Sequence, residues 1–128
     1  LPSTAPSADK ALITDGSGNL SFDGYTAKAW VNFNGDGTLA IRDSGNISSV
    51  TDRGTGIYTV NINTAFANAN YAVVCMTGGE TGSSQNVGAS IENVNSSLPT
   101  TSAIPIVVRI RNTSSDVNSA FVSIACFS

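Results

Sequence analysis

The residue types that carry most enzyme chemistry are scarce in this sequence and scattered where they occur. There is no histidine, so the commonest general acid–base group and metal ligand is missing. Ser-His-Asp and Cys-His arrangements are thereby excluded. Two cysteines, Cys75 and Cys126, are too few for a four-thiolate zinc site. Seven aspartates and two glutamates remain. Glycoside hydrolysis needs two carboxyl groups about 5–10 Å apart. Here Asp15, Asp36, Asp52 and Asp116 fall in separate turns, and Glu92 stands alone in a predicted strand. Asp36 sits between glycines in NGDG. A calcium loop needs several oxygen donors at alternating positions, so Asp36 reads better as a turn residue. The expectation is a protein that is not an enzyme, with no catalytic residue, no metal site and no cofactor.

Binding has better candidates. Glu80, Gln85 and Asn86 lie in the longest Gly/Ser-rich loop, and Asp116 lies in the Asn112–Asn118 turn. These four are the candidate ligand contacts, weighed against plain solvated loops. Trp30 alternates with core-type residues and stands beside Lys28 and Asn32. It could stack on a sugar ring, but such a tryptophan more often packs at a subunit interface or under a loop. Trp30, Val107 and Phe121 are the candidate interface residues, and structural pairing is the expected role of Arg42 and Asp43. The six cations and net charge of −3 do not supply the clustered positive charge that nucleic acid requires. Cys75 in YAVVCM and Cys126 in SIACF could form a disulfide closing a loop of about 50 residues. The preferred alternative is two buried thiols acting as small hydrophobes, since spacing alone decides nothing.

The elements that must position these residues are strands. A chain of 128 residues is one domain by length and long enough to bury roughly 70% of its unfolded surface. Charged residues make up 12%, about half the usual share, and Gly, Ser, Thr and Asn fill the gap. No apolar run has the roughly 18 residues of a membrane span. The sequence opens at Leu1 with no basic and apolar leader, and is expected to be a piece of a longer polypeptide or a processed product. Residues 1–25, rich in Pro, Ser and Ala at the start, read as an extended arm with one short hairpin around Asp15–Asn19. From 26 to 128, period-two alternation and Gly/Asn/Ser turns predict strands near 27–33, 38–43, 46–51, 56–63, 70–77, 86–94, 104–111 and 119–127. The fold class is all-β: an antiparallel β-sandwich of about eight strands behind the arm.

The predicted inward set includes Val31, Phe33, Leu39, Ile41, Tyr58, Val60, Ile62, Ile104, Ile106, Val108, Val122 and Ile124. The opposite faces hold Trp30, Val74, Val107, Phe121 and Phe127, too apolar for full solvation, so self-association is expected. Strict up-and-down alternation would gather Asn34–Gly37, Asp52–Gly56, Thr77–Asn86 and Asn112–Asn118 at one end. Asp43–Asn46, Thr64–Asn70 and Asn95–Ala103 would share the other end with the arm.

The stretch AKAWVNFNGDGTLAIRDSGNISSVTDRGTGIYTVNINTAFANANYAVV, residues 27–74, resembles a C-terminal β-domain of tail-fibre and other structural proteins of tailed bacteriophages, notably those of aquatic bacteria such as cyanophages. The shared pattern is K-A-W-V-N-F, a Gly turn, the I-R-D-S-x-N block, then G-x-Y-T-V-N and A-N-Y-A-V. The preceding PSTAPSADKALITDGSGNLSF resembles the linker found upstream of such domains. The resemblance implies a virion location, a homotrimer joined to the rest of the fibre or virion through its arm, and adhesion of its distal loops to a host surface glycan or protein. It equally admits a purely structural head fibre, decoration or assembly adaptor. The loops after Val74 follow no shared pattern, so no ligand is carried over.

Overall fold

The structure, a computed structural model, describes residues 12–14, 16–22, 26–78, 87–91, 98–111, 113 and 115–128. A first pair of strands, β1 (Leu12–Thr14) and β2 (Leu20–Phe22), forms a separate antiparallel hairpin around Gly16 and Gly18. The sandwich follows: β3 (Ala29–Asn34), β4 (Ala40–Gly45), β5 (Ile47–Gly54), β6 (Ile57–Ile62), β7 (Ala72–Thr77), β8 (Val87–Ile91), β9 (Ala103–Ile110) and β10 (Val122–Phe127). Each falls within or overlaps a predicted strand, and no helix occurs among the described residues. The first sheet runs β4-β3-β10-β7 and the second β5-β6-β9-β8, all neighbours antiparallel.

Alternation produces the core between the sheets. Val31, Phe33, Val122, Ile124 and Cys126 from the first sheet meet Tyr58, Val60, Ile104, Ile106 and Val108 from the second, all buried. Phe33 and Tyr58 meet edge to face across the gap, centroids 5.1 Å apart at 71°, a geometry that adds about 1 kcal/mol beyond the buried area.

Two inward or outward assignments need correction. Ile41 stands opposite Phe33 but is 38% exposed. It lies on β4, an edge strand, so its far side has no neighbouring strand to cover it. Val107 points away from the core yet is 2% exposed, and it is therefore no surface residue. It sits mid-way along β9, an interior strand, with Ile57 and Ser90 directly opposite it on the two flanking strands.

Pro105 lies in that interior strand, a position proline normally avoids. The Val108 amide donates to the Gly56 carbonyl at 2.8 Å, so even-numbered amides of β9 face β6 and position 105 faces the other side. On that side the described pairs with β8 run from Val87–Ile110 to Ile91–Ile106, and none of them needs an amide proton at 105.

Candidate functional site

The loop-to-strand hydrogen bonds sort the turns into two ends. At one end, Gly35 donates to Ser119 O (2.9 Å), Gly78 to Phe121 O (2.8 Å), and Gly56 to Asn118 Oδ1 (2.8 Å). Tyr58 ties the first and third together, and the buried Ser119 hydroxyl donates to Gly78 O at 2.7 Å. The Tyr58 hydroxyl lies 2.8 Å from Gly35 O and 3.0 Å from Asn118 Oδ1, one proton between two acceptors. Burial, then the charges of Asp52 and Asp36, push this phenol up to about 12. At the other end Asn46 is the hub. Its amide donates to Lys28 O and Thr64 O (both 3.1 Å) and accepts from Thr64 N (2.8 Å). Phe66 N donates to Thr101 O, and Tyr71 Oη to Thr100 O at 2.7 Å. The chain enters the sandwich at this second end, through residues 26–28. The parity expected from the sequence therefore matches the described turns.

The candidate ligand contacts separate on inspection. Glu80, Gln85 and Asn86 lie outside the described residues; the positions that bracket their loop, Gly78 and Val87, stand at the Tyr58 end. Asp116 is committed internally. It forms an isolated bridge opposite Arg109, whose Nε donates to its carboxylate at 2.5 Å. Ile110 N bonds Ser115 O, and Val117 N bonds Val108 O, so this returning segment pairs with β9 where β6 has not yet begun. Asp116 thus fastens a turn, with its side chain still 28% exposed.

The interface candidates gain a common location, apart from Val107. Trp30 and Phe121 are 39% and 54% exposed on the outer face of the first sheet. Trp30 faces Gly45 on β4 and Ala125 on β10, and Ala125 faces Val74 on β7. A Cβ at Gly45 would lie 2.4 Å from Trp30 Nε1, so the indole lies against bare backbone. On its β7 side is a shallow apolar groove of about 290 Å³, with Val74, Met76, Ser123 and Ala125 in its lining. Met76 was not singled out from the sequence. Its even number in β7, in step with Val74, is the signal that places it outward.

Polar groups on this face are mutually occupied. Asn32 Nδ2 donates to Ser123 Oγ at 2.7 Å, and Arg42 donates to Asn32 Oδ1 (3.4 Å) and to Ala120 O (2.6 Å). The Arg42 guanidinium also lies 4.2 Å over the Phe121 ring. Arg42 thus has the structural role expected of it, while Asp43 accepts from its neighbour Ser44 N.

The two cysteines are free thiols on adjacent strands, Cys75 opposite Ile124 and Cys126 opposite Val73. Burial raises both to about 11, with their mutual proximity adding to the shift at Cys126. Thiols so disposed are poor nucleophiles. Among the described residues, no three metal-ligating side chains come together. No protein-family model, curated protein or solved structure matches this chain.

Proposed function

We propose that this chain is a virion fibre-type module that adheres to a host cell surface through loops of a homo-oligomer, without catalysis. The motif resemblance over residues 27–74 suggests the fibre setting. The carrying observation is the polarity of the sandwich: the chain enters at the Asn46 end, and the turns around Gly35, Gly56, Gly78 and Asn118 gather at the opposite end. An arm fixed to a larger particle would leave that second group pointing outward. Neutral Ser, Thr, Asn and Gly loops suit hydroxyl-rich ligands, and several weak sites on one oligomer bind by effective concentration.

A second reading is a purely structural virion part. The internal use of Asp116 and the apolar sheet face favour it. Fluorescently labelled full chain, applied to a panel of aquatic bacteria, separates the two. Saturable labelling that excess unlabelled chain abolishes is expected for adhesion. Absence of labelling across the panel, with the chain folded, removes the adhesion reading and leaves the structural one.

A further inference from the structure

The sandwich has two unlike outer faces. On the β5–β6 half of the second sheet, Asn61 Nδ2 donates to Ser49 Oγ and Thr51 Oγ1 (both 2.9 Å), a polar ladder suited to water. On the first sheet, Trp30, Val74, Met76, Phe121 and Phe127 are 38–69% exposed. An aromatic side chain carries about 150–250 Å², so these five together expose on the order of 500 Å². That is near the upper bound for the largest apolar patch of an ordinary monomer, about 600 Å². With its polar rim it approaches the roughly 800 Å² that each partner of a stable complex contributes.

The strand edges narrow the choice further. A free edge is usually blunted by charge, bulge or cover. Edge strand β4 has a bulge opposite Asn32–Phe33 and carries Arg42 and Asp43; edge strand β5 has two irregularities and carries Asp52 and Arg53. Edge strand β8 is short, with the Arg111 side chain against Gly88. Edge strand β7, AVVCMT, has no charge, no proline and an unbroken register with β10. Its outward side chains, Val74 and Met76, are 54% and 69% exposed. This uncharged edge therefore borders the apolar face.

We propose that a second copy of this chain covers the outer face of the first sheet, with Val74, Met76 and Trp30 at the centre of the contact. This rests on the homo-oligomer reading above and names its surface. A second copy is the fitting occupant because the patch is apolar and uncharged at its centre, hence complementary to itself. Its polar members Asn32 and Ser123 already bond each other, so covering them strands no unpaired group.

The test is the solution mass of the full chain, by light scattering at micromolar concentration, for wild type, Val74→Lys/Met76→Lys and Leu98→Lys. Leu98 is equally exposed, at 69%, and lines a different cavity beside Pro105. Wild type and Leu98→Lys are expected at twice the 13.1 kDa chain mass, and the double variant at one. Trp30 emission should shift red in the double variant only, while circular dichroism shows an unchanged fold. A monomeric wild type overturns the proposal. An oligomer that survives the double variant overturns this surface but leaves the homo-oligomer reading standing. Loss of cell labelling with the mass pattern intact defeats adhesion alone.

Discussion

Asn46 shows how much one side chain can organise. It sits at φ +56°, the left-handed region that asparagine tolerates best after glycine. That backbone turns the chain from β4 into β5 and hence from one sheet to the other. Its amide then closes the corner against Lys28 and Thr64, which belong to different parts of the chain. Asn46→Ala should lose those bonds and strain the backbone, costing about 2–4 kcal/mol in a denaturant melt. Asn46→Gly keeps the backbone conformation and should cost less; equal losses would show that the turn geometry contributes nothing. Gly35 makes a related point. In NGDG, Gly37 has the positive φ (63°) that a hairpin turn asks for. Gly35 does not; it is glycine because a Cβ there would fall 2.5 Å from the Tyr58 hydroxyl. The two glycines look alike in sequence and answer to different constraints, one local and one set by a residue 23 positions away.

At the scale of elements, the β3–β4 hairpin joins scaffold to surface. Its inward side chains Val31 and Phe33 belong to the core, while its outward Trp30 lies on Gly45. The indole position therefore depends on an absent side chain one strand away. Gly45→Ala should push the indole off the sheet. The expected result is a red-shifted, more quenchable Trp30 emission with a modest fall in thermal midpoint; unchanged emission would mean that the indole rests elsewhere. The strand assignment was legible because period-two alternation is imposed by the pleat itself. Edge and interior status was not legible. Ile41 was misplaced for that reason, since a side chain on an edge strand lacks a neighbour on one side, and pairing order is a non-local property.

For the molecule as a whole, the core carries four groups whose protons are held more tightly when folded. Cys75 and Cys126 move from 9.0 to about 11, and Tyr58 and Tyr71 from 10.0 to about 12, with burial the leading cause in each. Below pH 9 all four are protonated in both states and their full contribution is present. As pH rises through the range from about 9 to 12, the unfolded chain releases these protons first, so stability falls. Urea midpoints should be level from pH 7 to 8.5 and decline steadily above pH 9. A midpoint that stays level to pH 11 would show that these groups are hydrated in the folded chain. The same whole-molecule view explains the candidate site. The turns of one end are drawn from four distant parts of the chain and held by Tyr58, Asn118 and Ser119, so the end exists only once the sheets have packed.

Class, strand positions and the two groups of turns could be read from residue order, because they follow from local alternation and from the parity of successive reversals. The absence of histidine already removed whole families of chemistry before any fold was considered. Tertiary structure decided which strands became edges, that Val107 is enclosed while Val74 and Met76 are bare, and that Asp116 pairs with Arg109. It also showed the two outer faces to be unlike, one with a polar ladder over β5 and β6 and the other with exposed apolar side chains. Each of these depends on which segments become neighbours across the sheets, and a contact between residues tens of positions apart leaves no periodic mark in the sequence.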